Sequence, residues 1–172
     1  VLFRSLKGEK MRGKRVGIVG VGNVGATCGY ILAMNGACHE VILRSNGSPD
    51  KAKGLALDMS QAVQAARMHT VVKHAQDPSD LQDCDVIVIT AGSPRLPGMS
   101  RDDLLIKNAE IMRKNMGDIM KYSPNAIIIP VSNPLDAMVY VALKESGWER
   151  NRVLGMAGIL DSARMAHFVM NN

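Results

Sequence analysis

Short runs that are apolar at nearly every position alternate along the chain with longer helical stretches. The pattern predicts strands over 15–19, 41–44, 70–73, 85–90 and 126–130, and a short one over 152–154. It predicts helices over 23–35, 50–66, 102–121, 135–146 and 160–169. The strand interiors, Val86-Ile87-Val88-Ile89 and Ile127-Ile128-Ile129 most plainly, are apolar throughout. That is the pattern of strands buried on both faces, and strands of this kind separated by helices form a parallel sheet with helices on each side. The fold class is therefore doubly wound α/β. The last pattern, 160–169, begins another helix and stops in polar residues, so it reads as the start of a second, truncated α+β domain.

Composition narrows the function classes. A chain of 172 residues with 47% hydrophobic content fits one globular domain with a sizeable core. Its apolar runs have strand length and fall well short of the ~20 residues of a membrane span. The net charge of +5 points to nucleic acid only until the cations are located. Residues 1–15 hold six of the 21 Lys and Arg and one of the 16 Asp and Glu, so 16–172 is balanced. A basic groove along a domain face would need cations spread through the fold, and this charge-balanced body does not show one. The cysteines, Cys28, Cys38 and Cys84, have no C-x-x-C spacing, which fits buried thiols in a reducing compartment, with cytoplasm as the default. Residues 1–10 precede Met11, just before the first strand, and are expected to be a non-native or disordered leader.

The chemistry begins between the first strand and the first helix. Gly20-Val21-Gly22-Asn23-Val24-Gly25 is a G-x-G-x-x-G turn in strand-turn-helix context. The first glycine permits the tight turn, the second lets backbone approach a pyrophosphate, and the third lets helix pack on strand. This reads 11–155 as a dinucleotide-binding, Rossmann-type domain, with 156–172 as the beginning of a second one. The acid expected at the end of the second strand, where it accepts the adenosine ribose hydroxyls, is replaced by Arg44-Ser45. Two readings stay open: Arg44, Ser45 and Asn46 accept the 2′-phosphate of NADP, or Arg44 caps a strand in solvent and NAD binds without that contact.

Arginines cluster after the fourth strand, where ligands bind in open α/β sheets. The loop Ser93-Pro94-Arg95-Leu96-Pro97-Gly98-Met99-Ser100-Arg101 carries two guanidiniums and no acid, which suits carboxylates. Ser132-Asn133-Pro134 follows the fifth strand, with an amide able to bond a carbonyl or carboxamide. Asp161 and Arg164 stand three apart on one helix face, where they form either part of a site or an intrahelical pair worth about 0.3–0.5 kcal/mol.

These four motifs, in this order and spacing, resemble the lactate/malate dehydrogenase family, and most closely its lactate-dehydrogenase-like malate dehydrogenases. The resemblance covers residues 15–169. It implies that Arg95 accepts the second carboxylate of malate or oxaloacetate, that Arg101 closes over the substrate and polarises its carbonyl, and that Arg164 clamps the C1 carboxylate. It implies that Asn133 bonds substrate beside the nicotinamide, with Asn108 and Val131 as further cofactor contacts, and that Asp161 orients a catalytic histidine. It also implies a homo-oligomeric full-length enzyme acting on a small dicarboxylate.

The family's general base lies in a G-x-H-G-D sequence that this chain does not contain. His39, His69, His74 and His167 lack that context and read as surface or packing residues. The chain as given is therefore expected to be a fragment that binds a dinucleotide weakly, if at all, and does not oxidise malate; a stand-alone dinucleotide-binding module is the alternative. A 2-hydroxy acid other than malate would require Arg95 to serve something else. Met112, Met116 and Met120 read as core filler, Asp102-Asp103 as a helix opening, and 77–85 as a solvated acidic turn without metal-ligand spacing.

Overall fold

A computed structural model describes residues 13–171. The expectations for the leader therefore lie outside the described residues. The chain runs β1 (Arg15–Val19), α1 (Asn23–Met34), β2 (Glu40–Arg44), α2 (Pro49–Ala65), β3 (Val71–His74), β4 (Val86–Ile89), α3 (Arg101–Tyr122), β5 (Ile127–Pro130), α4 (Leu135–Ser146) and α5 (Gly158–Met170). The strands form one parallel sheet in the order β3-β2-β1-β4-β5. The chain winds outward from β1 to β3, then returns to the other side of β1 to lay down β4 and β5. That reversal opens a crevice at the carboxyl ends of β1 and β4, the place where ligands bind in sheets of this class.

Two cores follow from the apolar strands. Ile18, Val41 and Leu43 pack with Ala52, Met59 and Val63 beneath α1 and α2. On the other face Ile42, Ile87, Ile89 and Ile128 pack with Met112, Met116 and Ile119 of α3 and Met138 of α4. The methionines read as filler are indeed core: Met112 and Met116 are fully buried and Met120 packs against them. The helices begin where the sequence signals them. Ser100 and Asp103 form a reciprocal capping box at α3, and the Ser100 hydrogen bonds hold the Asp103 carboxyl below its ordinary range. Cys38 and Cys84 are buried free thiols, and burial pushes Cys84 up to about 11, so it stays protonated and unreactive.

Two short elements depart from the pattern. The strand expected over 152–154 is a 3₁₀ turn, Arg150–Arg152, followed by a single bridge between Val153 and Ile128. Arg152 shapes it: its guanidinium donates to the carbonyls of Pro124 and Ala126 and stacks on the Trp148 ring at 3.9 Å. The acidic turn contains a second 3₁₀ turn, Pro78–Leu81, capped by Asp77 and Asp80 and anchored by the buried Leu81. α5 forms as expected, but none of its residues is buried, and Ile159 is 80% exposed. Among the described residues no helix is long and apolar enough to cross a membrane.

Candidate functional site

The glycine turn is built by close approach of backbones. Gly20 has φ +104°, and a Cβ there would stand 2.5 Å from the Ala91 nitrogen. Its amide donates to the Arg44 carbonyl at 2.8 Å, and its own carbonyl accepts from the Thr90 hydroxyl at 2.9 Å. A Cβ on Gly25 would fall 1.9 Å from the Gly20 carbonyl oxygen, so α1 can sit on β1 only with glycine there. Gly22 is different. A Cβ on it would meet nothing within 4 Å, because it faces the crevice. Gly22 is also the N-cap of the 12-residue α1, with no side-chain cap and no acid in the first turn. The first amides of the helix have no partner within it and carry the positive end of its dipole. A cradle open at the second glycine and walled by backbone at the first and third fits a pyrophosphate.

Around it lies a cleft of 670 Å³. Gly22, Asn23, Val24 and Gly25 form one wall, Arg95 and Asn108 another, and Val131 with Asn133 a third. Asn108, from α3, is 2% exposed and its amide is fully used. Its Oδ1 accepts from the Ser93 amide at 2.7 Å, and its Nδ2 donates to the carbonyls of Asn133 at 2.7 Å and Ser93 at 3.3 Å. Asn108 thus pins the start of the arginine loop to the turn after β5 while lining the cleft. Beside it the Ser132 hydroxyl is buried without a hydrogen-bond partner, a polar atom left for a ligand in the wall of the cleft.

The arginines are less organised. Arg95 is exposed and its Nε donates to the Met99 carbonyl at 3.0 Å, which folds the loop back on itself. Arg101 is the exposed first residue of α3 and does not line the cleft. Asp161 and Arg164 also stand outside the cleft lining, paired with each other at 3.1 Å on the solvent face of α5.

Arg44 is paired inside the protein and does not cap its strand in solvent. It continues the β2 alternation that turns Ile42 toward α3, and it is only 8% exposed. Its Nη2 donates to Asp118 at 2.9 Å and its Nε to the Asn46 side chain at 2.9 Å. Its Nη1 is buried without a partner. Ser45 instead accepts the Ser48 amide and opens α2. The histidines are also dispersed: His39 and His69 precede β2 and β3 at the amino edge, His74 ends the outermost strand, and His167 is exposed on α5. Among the described residues no cluster of His, Cys, Asp and Glu could hold a metal ion.

Thr90 and Ser132 also line the cleft, while Asn115 and Asp118 lie outside it, in the network around Arg44. Thr90 and Ser132 at strand ends carry a weak local signal, whereas Asn115 and Asp118 look like any polar position on a helix.

Residues 14–155 match the family described as lactate/malate dehydrogenase, NAD binding domain. The chain is 68% identical to a malate dehydrogenase of Sulfurimonas denitrificans over 158 residues, which is 92% of this chain and 49% of that protein. Its fold superposes on a lactate dehydrogenase from a Medee basin deep-sea metagenome with TM-score 0.87 at 35% identity, covering 94% of this chain and 51% of that one. It superposes with TM-score 0.85 at 34% identity on the lactate dehydrogenase of Cryptosporidium parvum complexed with lactic acid and nicotinamide adenine dinucleotide, covering 94% and 50%. The chain therefore spans about half the length of the relatives it matches.

Proposed function

This chain belongs to the lactate/malate dehydrogenase family through its NAD-binding domain, and we propose that it serves reversible hydride transfer between (S)-malate and a nicotinamide dinucleotide, giving oxaloacetate. The observation that carries this reading is the open cradle at Gly22, set against a loop whose guanidinium Arg95 faces the same cleft. NAD is the dinucleotide in this reading; NADP is the alternative left open by Arg44 in place of the usual acid.

Gly20 shapes the turn, and the backbone amides of Gly22, Asn23, Val24 and Gly25 would hold the pyrophosphate. Val131 and Asn133 flank the nicotinamide, and Asn108 fixes the distance between them and the arginine loop. When bound, the cofactor supplies the hydride acceptor and donor at its nicotinamide ring. Arg95 takes the carboxylate that distinguishes malate from lactate, Arg164 takes the other, and Arg101 stabilises charge on the C2 oxygen. Asp161 is a positioning residue that orients a histidine. None of His39, His69, His74 and His167 fills that role, so the 172-residue chain binds dinucleotide without oxidising malate. The reaction belongs to a homo-oligomeric, cytoplasmic enzyme that draws further residues to the site.

Titrating NADH into the purified chain tests the binding half of this reading, and malate-dependent NADH formation tests the other. Saturable binding without turnover is expected; turnover by this chain contradicts the histidine assignment. The Asp161–Arg164 pair favours one further reading, a stand-alone dinucleotide-binding module in which the two serve only each other. Oxaloacetate turnover in a protein that contains this chain and a G-x-H-G-D sequence excludes that module.

A further inference from the structure

The carboxyl end of β2 holds a buried cation that the reaction does not use. Arg44 stands beside the glycine turn, tied to it by the bond from the Gly20 amide to the Arg44 carbonyl. A guanidinium so deeply buried is tolerated only with a compensating charge. Asp118 supplies it from α3, 74 positions along the chain, and Asn46 and Asn115 complete the network. The Asn46 amide donates to Asn115 Oδ1 at 2.9 Å, and the Asn115 amide donates to the Ile111 carbonyl at 2.8 Å. The Asp118 side chain is 30% exposed, so a carboxylate, rather than the guanidinium, faces the solvent edge of this network. The remaining Arg44 donor, Nη1, is sealed from solvent and cannot meet a phosphate without Arg44 leaving its partner.

We propose that Asp118 is a specificity-determining residue: by holding the Arg44 guanidinium on the α3 side of the sheet, it withholds that cation from a ribose 2′-phosphate and makes the chain select NADH over NADPH. The acid that position 44 lacks is thus provided from a helix. The pair is neutral where a free Arg44 would attract a phosphate. This inference rests on the dinucleotide reading of the cleft.

The test titrates NADH and NADPH into the full 172-residue chain and into Asp118→Asn and Arg44→Gln, following nicotinamide fluorescence, with folding checked by circular dichroism. The wild-type chain is expected to bind NADPH about tenfold more weakly than NADH. Asp118→Asn keeps an amide oxygen for Nη2 but removes the compensating charge, and it should tighten NADPH about tenfold while leaving NADH nearly unchanged. Arg44→Gln removes a cation that is already sequestered, so the NADH to NADPH ratio should stay within about twofold of wild type. A wild-type chain that binds NADPH as well as NADH overturns the proposal. So does an Asp118→Asn chain with an unmoved ratio, or an Arg44→Gln chain that loses NADPH selectively. If Asp118→Asn does not fold, the wild-type ratio and the Arg44→Gln arm decide. Folded protein that binds neither cofactor overturns the dinucleotide reading and this inference together.

Discussion

The two halves of the crevice are held in place by different means. On the cofactor side, Gly20 and Gly25 are wedged against Ala91 and Thr90, and Asn108 bonds both loops that border the cleft. The groups at the glycine turn are backbone amides whose position the sheet and α1 determine. On the substrate side the recognising groups are long side chains: Arg95 and Arg101 stand in solvent, and Arg164 is occupied by Asp161. Under the proposed function, the contrast teaches that the cofactor side is preorganised by packed backbone, whereas the arginines of the substrate side have still to be gathered.

Substitutions that set the two sides apart test that contrast, and the largest effect belongs to the turn itself. Gly25→Ala forces a Cβ against the Gly20 carbonyl. It should cost about 3 kcal/mol or more, read as a lower urea midpoint, together with loss of NADH binding. Asn108→Ala strands the Ser93 amide and the Asn133 carbonyl, for a loss of about 1–3 kcal/mol and weaker NADH binding. If Asn108→Ala left both unchanged, the cleft would not depend on that clamp.

A pH effect marks the amino end of the sheet, opposite the crevice. Glu40 is buried, which alone would raise its pKa, but Lys73 and Arg15 more than offset this and hold it below its ordinary value. Its unfolded value is about 4.3. A depressed folded pKa contributes stability that is present above that value and is lost as pH falls through the folded one. Urea midpoints measured from pH 6 down to pH 3 should therefore decline, and Glu40→Gln should flatten part of that decline. The smallest effect is expected on α5. Arg164→Ala breaks only an exposed pair and should leave the melting temperature unchanged. A clear loss would mean that α5 is held by contacts of Arg164 other than Asp161.

The fold was legible because strands buried on both faces are apolar throughout: β1 has the expected bounds, and β2, β4 and β5 lie within one residue at each end. The glycine turn was legible for a local reason, since its constraints act within six residues. The burial of Arg44 is not legible, because its partner, Asp118, lies on another element and nothing near position 44 signals a helix carboxylate. Asn108 was placed at the site by family resemblance, but its work as a clamp depends on Ser93 and Asn133, which meet only in the folded chain. The substrate side was legible as chemistry and not as geometry, because solvent-exposed arginines have no fixed position to predict.

The most direct test of a preorganised cofactor side is calorimetric titration of NADH into the wild-type chain and Gly22→Ala, with thermal melts of both. The Gly22 Cβ enters open space that the pyrophosphate would fill, so the melting temperature should be unchanged while affinity falls about tenfold or more. Equal affinity in the two folded proteins, or no binding by wild type, would contradict the account.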